Sequence, residues 1–467
     1  MQAKVVKWGA AGVSLWLVAG AAQASLQQLE ADLQAELASD GASMVIGQLV
    51  EEANSYVAED VAITYANGDL LSIDRYRVDG RYAQPASITL DGISMTELGF
   101  DSPVLTVGEL VLREPGAAVP MLEAFEAEGS IINALSLSDI TFRLEGSLAD
   151  ELAAELESQA LAGVLSIDSL ELEDASSSAV GLIALQGVSG ELNDLANGIS
   201  GTLALGDMRI EALEGLDRPG EESLKHAELH GFSLTGEQWS VLLDNAWVKG
   251  NSYVGEAGFS GAEFDLGELI HLVPPTEREE LQALNRVLTG GTGRLSAEGQ
   301  SASQWQESPS NEPSHRNRLT SEGYLQLDGA GGLEFSMDVP ISLPKGATLE
   351  QATQNPALFE AATLYGGHVS VAYRDEGMLP RMATELAAQE GISEEQAISQ
   401  AWAQAQQLGP LLGPQITKLM VGMVDIMAGH AQSLTVDVEL PNPFMLNQFI
   451  LNPMGSSERL TFTFELK

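Results

Sequence analysis

The residues best suited to hold a metal are His226, Glu228 and His230, in the run His226-Ala-Glu228-Leu-His230. On a strand these three share one face, with neighbours ~6.6–7 Å apart and the two histidines ~13 Å apart. One zinc ion, with bonds of about 2 Å, cannot take both histidines at that spacing. On a helix the i, i+4 pair would converge, but Gly231 and the apolar alternation around it argue for a strand. His271, His315, His368 and His430 occur singly. Gly290-Gly291-Thr-Gly293-Arg294 is glycine-rich, yet no apolar strand precedes it and the third glycine of a dinucleotide loop is missing, so it reads as a turn. The sequence contains no Gly-x-Ser-x-Gly elbow, no His-Glu-x-x-His, no Gly-x-x-x-x-Gly-Lys and no Asp-x-Asp-x-Asp-Gly calcium loop. With no cysteine, thiol nucleophiles, disulfides, thiolate zinc sites and iron–sulfur clusters are excluded. Among 67 acidic residues some pairs fall close by chance, so no two carboxylates stand out as a glycosidase pair. No catalytic residue, metal or cofactor is expected, and the chain reads as a protein that is not an enzyme.

The elements behind these residues are therefore more informative than the residues themselves. The chain has 467 residues, of which 44% are apolar and 19% charged, enough to bury a sizeable core. Lys and Arg number 22 against the 67 acids, a net charge of −45, which excludes a generic electrostatic nucleic-acid binder. The acid excess reads first as a solvated surface and second as a docking face for a basic partner or a divalent ion. Residues 1–24 combine Lys4 and Lys7, an apolar run from Trp8 to Ala22 and the small residues of Ala22-Gln23-Ala24. That is the pattern of an export signal cut before Ser25, with an uncleaved anchor as the alternative. No other segment is long and apolar enough to span a bilayer. A bacterial periplasmic location is expected.

Leu26, Leu29, Leu33 and Leu37 predict a short amphipathic helix within an N-terminal segment 25–58. One phrase then recurs, apolar-x-apolar-x-x-apolar-x-apolar. It is carried by Ile88, Leu90, Ile93 and Met95; by Leu105, Val107, Leu110 and Leu112; and by Leu135, Leu137, Ile140 and Phe142. Leu165, Ile167, Leu170 and Leu172 follow, then Leu203, Leu205, Met208 and Ile210, with a weaker copy at Ala227, Leu229, Phe232 and Leu234. Side chains alternate faces along a strand, so the x-x step would throw the second half to the opposite face. An extra residue in a β-bulge restores the face. The x-x pairs are small or polar, as such a step requires. The phrase predicts bent strands with one apolar face, stacked into an elongated, curled antiparallel sheet. A closed sandwich is the alternative. A β-helix is disfavoured by irregular spacing.

These readings divide the chain into the signal 1–24, the N-terminal helical segment 25–58, a β-rich repeat domain 59–295, a flexible linker 296–321 rich in Ser, Gln and Pro, and an α+β C-terminal domain 322–467. A helix is expected from Pro275 to Leu288. Alternation predicts strands at Leu333–Val339, Leu434–Leu440 and Leu460–Leu466. Between them lies a helical block, about 378–428. In it the capping box Ser393-Glu-Glu-Gln396 opens a helix that carries Ile398, Ala401, Trp402 and Ala405 on one side and ends at Gly409-Pro410. The next helix carries Ile416, Leu419, Met420, Met423 and Met427, read first as a core stripe and second as an adaptable surface for a lipid or partner. The fold class is mainly β with α, with repeated bulged strands and a C-terminal helical block.

The recurrent phrase after an export signal resembles the AsmA-like and bridge-like lipid-transfer superfamily of envelope proteins. The order of signal, sheet phrases, late helical block and closing strands resembles the YdgA-type bacterial periplasmic family. Val369 to Leu379, running into Gly391-Ile-Ser-Glu-Glu395, also resembles alphaproteobacterial periplasmic proteins. The resemblance implies an exported binding or scaffold protein whose curled sheet holds a lipid or another apolar ligand, with no catalytic residues to carry over. The expected groove is lined by Ile88, Leu90, Leu105, Val107, Leu135, Leu137, Leu165, Ile167, Leu203 and Leu205. The alternative is a structural protein of the cell envelope with a closed core and an acidic docking surface for a protein partner. An outer-membrane barrel is disfavoured by aromatics at 6%.

Overall fold

The structure is a computed structural model that describes residues 26–38, 42–52, 54–120, 131–155, 161–194, 199–218, 220–237, 239–307, 317–447 and 459–467. The expected export signal, residues 1–24, lies outside them. The chain forms two compact units, one of residues 1–218 with 225–237 and the other of residues 219–224 with 238–467. The boundary read from sequence at 295/296 falls inside the second unit.

The first unit opens with helix α1 (Leu26–Ala38) and continues as an antiparallel meander. Its strands are β1 (Ser43–Glu52), β2 (Ser55–Thr64), β3 (Leu70–Arg81), β4 (Gln84–Thr96), β5 (Leu105–Arg113), β6 (Ile132–Arg143), β7 (Leu161–Ala175), β8 (Ala179–Asp194), β9 (Ile199–Glu214) and β10 (Ser223–Gly236). Each pairs with the next along the chain. Helix α2 (Gly146–Glu155) lies between β6 and β7. The segment 25–58 is therefore helical only to Ala38; β1 and the start of β2 complete it, because Met44, Ile46 and Leu49 alternate at a two-residue period on either side of Gly47.

The phrase keeps its face, but not through a bulge of two residues against one. Ile93 pairs with Val107 and Leu90 with Leu110, so Gly92 falls opposite Gly108 and the register runs on unshifted. The same holds from β6 to β9: Ile140 pairs with Ile167, Ile167 with Val188 and Val188 with Leu205. Every strand carries the extra residue at the same level, so neighbours step together and no partner is left over. Two unbroken apolar rows result. One runs Ile46, Val61, Ile73, Ile93, Val107, Ile140, Ile167, Val188, Leu205; the other runs Leu49, Ala58, Tyr76, Leu90, Leu110, Leu137, Leu170, Leu185, Met208.

Between the rows lies the step itself. In β2, β4, β6, β8 and β10 its residue has a positive φ: Asp60 51°, Gly92 63°, Asp139 53°, Gly187 62° and Gly231 64°. Glycine and aspartate tolerate that region best. Within each hairpin of the first four, an aspartate faces a glycine: Gly47 with Asp60, Asp74 with Gly92, Gly108 with Asp139, and Asp168 with Gly187. A Cβ on Gly92 would lie 2.1 Å from Asp74 Oδ2, so the acid occupies the space that a side chain would need.

The second unit runs β11 (Ser240–Asn251), β12 (Val254–Asp265), β13 (Arg294–Gln306), β14 (Asn317–Leu327), β15 (Gly331–Ser342), β17 (His368–Asp375), β18 (Ser433–Glu439) and β20 (Thr461–Leu466), each antiparallel to the next. The short strands β16 (Thr363–Leu364) and β19 (Phe444–Met445) extend the end of β15. The helices are α3 (Leu266–Leu269), α4 (Arg278–Thr289), α5 (Leu349–Gln354), α6 (Pro356–Glu360), α7 (Met378–Glu390), α8 (Glu394–Leu412) and α9 (Pro414–Met427). Gly290, left-handed at φ 66°, caps α4, so the glycine run is a helix end and turn.

Two expectations are corrected here. Of the expected linker 296–321, residues 296–306 belong to β13 and 317–321 to β14, while 308–316 lie outside the described residues. Within β13 the polar Ser301, Ser303 and Gln304 are exposed, while Gly299 and Trp305 are buried, and a Cβ on Gly299 would meet the Phe259 ring at 3.1 Å. Helix α8 does not end at Gly409-Pro410 but continues to Leu412, and Trp402 is 45% exposed rather than packed with Ile398 and Ala401. The capping box is present: Gln396 N–H donates to Ser393 Oγ at 3.3 Å and Ser393 N–H to Gln396 Oε1 at 3.0 Å. Leu419, Met423 and Met427 of α9 do face the core, with Leu379, Ala383 and Leu434.

Candidate functional site

The apolar rows of the first unit are covered at one end and bare at the other. Over β2 to β6 the first row is sealed by α1 and by the segment Ala117–Val119, as is the second as far as Leu90, while Leu110 and Leu137 are half-buried against the same cluster. Leu29 and Leu33 of α1, with Ala118 and Val119, join Val61, Ile73, Tyr76, Ile88, Leu90, Ile93, Val107 and Ile140 in one buried cluster. Two polar contacts fasten this roof. The Tyr76 hydroxyl donates to Ala118 O at 2.7 Å, and the Tyr82 hydroxyl donates to Asp32 Oδ2 of α1 at 2.6 Å. Burial, then the Asp32 contact, push the Tyr82 phenol far above its ordinary range, so it remains a donor. Tyr56 meets the edge of the Tyr82 ring at 5.6 Å.

Past β6 no residue of either row is fully buried, while the rows continue. Ile140 is 4% exposed; Ile167, Val188 and Leu205, next in the same row, are each half-buried. So are Leu170, Leu185 and Met208 in the other row, and Leu229, Phe232 and Leu234 on β10. Among the described residues no cluster of fully buried side chains covers these positions; Ile167 and Leu170 only abut the sealed one.

The ten residues expected to line a groove therefore separate. Ile88, Leu90 and Val107 are sealed core, a correction whose cause is the roof of α1 and residues 117–119. Leu105, Leu137 and Ile167 are half-buried against that core. Leu135, Leu165, Leu203 and Leu205 are half-buried as well, and Leu165, Leu203 and Leu205 lie on the bare stretch. Sequence reading missed the second half of each phrase as lining. It also missed the copies on β3 (Leu71, Ile73, Tyr76, Val78) and β8 (Ile183, Leu185, Val188). The acid-or-glycine step, common to all of them, is the signal that would have found them.

The opposite face is charged and internally paired. On β9 and β10, Lys225 Nζ lies 2.8 Å and Arg209 Nε 2.7 Å from the two oxygens of Glu211. The hydrogen bond from Lys225, then that from Arg209, hold the Glu211 carboxyl down to about 2. His226 and His230 both approach Glu228 Oε2, at 3.0 and 3.4 Å, and the His226 contact leads in lowering the Glu228 carboxyl. The triad thus shares a strand face, as its spacing predicted, with the carboxylate between the rings. Among the described residues no group of three or more His, Asp and Glu side chains is arranged to hold a metal ion.

No helix among the described residues is long and apolar enough to cross a membrane. A family model described as "Uncharacterized protein" matches residues 324–467, which span β15 to β20 and the helical block. No curated protein matches the chain.

Proposed function

We propose that this chain is an exported binding protein of the bacterial periplasm. In this reading the bare rows on β7 to β9 hold an apolar chain, such as the acyl chain of a lipid, without catalysis. The observation that carries the reading is the break in burial between Ile140 and Ile167 along an otherwise continuous apolar row. Half-exposed Leu, Ile and Val side chains gain about 25 cal/mol for each Å2 removed from water, so affinity needs no specific polar motif. The rows repeat across strands set ~4.8 Å apart, which suits a long ligand better than a compact one. The bridge-like resemblance points the same way.

The test is mass spectrometry of a solvent extract from the purified mature chain, beside the same chain carrying Leu205→Asp. Lipid in the first and none in the second, with unchanged thermal melting, is the expected outcome. A lipid-free wild-type chain that instead retains a protein in a salt-sensitive complex would favour the envelope scaffold.

A further inference from the structure

The second unit has a bare apolar strip of its own. Leu325, Leu333, Phe335 and Val371 are 40%, 40%, 36% and 37% exposed. Leu325 pairs with Leu333 and Phe335 with Val371, while Leu333 and Phe335 stand two apart on β15, so all four share one face. Contiguous exposed apolar side chains of this kind mark a binding surface. On the same face the strip is bounded on both sides. Tyr373, Val436 and Phe464 go under α7 to α9, and Leu319 joins Trp305, Ile341 and Leu349 in a separate cluster. The uncovered run of β15 from Leu333 to Met337 is ~13 Å long.

We infer that this strip is a second seat for an uncharged alkyl chain, deepening the reading proposed above and resting on it. Its chemistry selects the occupant. Beside the strip the residues facing its side, Ser301, Ser321, Gly323, Met337, Val369 and Val436, are uncharged in a chain of net charge −45, and the carboxylate on that side, Asp375 at the end of β17, is already engaged by the Tyr373 hydroxyl and by the N–H groups of Gly377 and Leu379. An amphipathic helix or a second copy of this acidic chain would bring charges that nothing on this face can pair, and burying them unpaired is costly. Gly323 deepens the floor: a Cβ there would strike the Phe335 ring at 2.8 Å, so the ring lies across the glycine. An alkyl chain meets all of this with apolar contact alone.

The experiment is photolabelling of the full mature chain with a diazirine-bearing hexadecanol, the adducts being mapped by peptide. Expected are adducts on 325–337 and 369–373 as well as on β7 to β9. Phe335→Asp should cut the second-unit adducts by about tenfold and leave those on β7 to β9 unchanged. Should Phe335→Asp fail to fold, Val371→Thr replaces it and should reduce the same adducts. Adducts on β7 to β9 alone would overturn this inference and leave the proposed function standing. Adducts on the strip alone would do the reverse, and none anywhere would sink both. A wild-type dimer that Phe335→Asp dissociates, with no labelling of the strip, would assign the face to a second copy and overturn the inference.

Discussion

Strands β3 to β6 and strands β7 to β9 are written in the same phrase, keep the same register and feed the same two rows, yet the first set holds a fully buried cluster and the row residues of the other are half-buried throughout. The difference is not in the strands. Among the described residues it lies in α1 and in Ala117–Val119, short pieces that join the buried cluster of the first set. A strand phrase specifies which face is apolar. It does not specify whether that face is core or binding surface.

The sharpest way to break this comparison is to put the same charge into both halves. Leu90→Asp should cost about 4 kcal/mol or more, enough to unfold the first unit, because the carboxylate has neither water nor a partner there. Leu205→Asp should shift the urea midpoint by no more than about 1 kcal/mol in equivalent stability while abolishing lipid retention. Equal losses in both would make the two halves one closed core. The step is tested next. Gly92→Asp sets two acids against each other and should cost about 2 kcal/mol, while adding Asp74→Gly should restore at least half of it. The swapped pair reproduces the arrangement of Gly47 with Asp60. No recovery in the double variant would show that the φ of Gly92 alone, not its neighbour, sets the residue type.

Smaller effects probe the roof and the charged face. Tyr76→Phe removes the hydrogen bond to Ala118 and should cost about 1 kcal/mol, read from the same denaturation curves. It should also raise hydrogen exchange near residues 117–119 and leave β8 and β9 untouched. Glu211 is exposed and makes the smallest contribution. Its folded carboxyl is depressed from 4.5 to about 2, so the stabilisation is present above 4.5 and fades as the pH falls toward 2. Carboxyl-carbon NMR should find its midpoint there, and Lys225→Met should move it back toward 4.5. An unmoved midpoint would assign the shift to Arg209.

Much of this was legible in the residues. Leu29 and Leu33 declared α1, the phrase declared strands that keep one face, and Ser393-Glu-Glu-Gln396 declared the start of α8. Pairing hid the rest. A bulge was the natural reading of an x-x step in one strand taken alone, since nothing local says that both neighbours step at the same level. Strand β13 looked like linker because Ser301, Ser303 and Gln304 are polar and exposed, and nothing local shows that Phe259 and Leu325 lie over Gly299 or that Trp305 is buried. The roof was hidden for the same reason: Ala117, Ala118 and Val119 are unremarkable until Tyr76, 42 residues away, bonds to Ala118.

The paired steps have one more consequence. Read strand by strand from β1, they run Gly, Asp, Asp, Gly, Gly, Asp, Asp, Gly, so like meets like between hairpins and unlike within them. Over its first eight strands the sheet therefore counts in fours. Excising β5 to β8 would rejoin Gly92 to Gly206, the kind of junction the native chain already uses. Excising only β5 and β6 would confront Gly92 with Asp168 across a junction that never occurs in the first eight strands. Length in those eight strands should change by whole quartets, which gives an engineer a ruler.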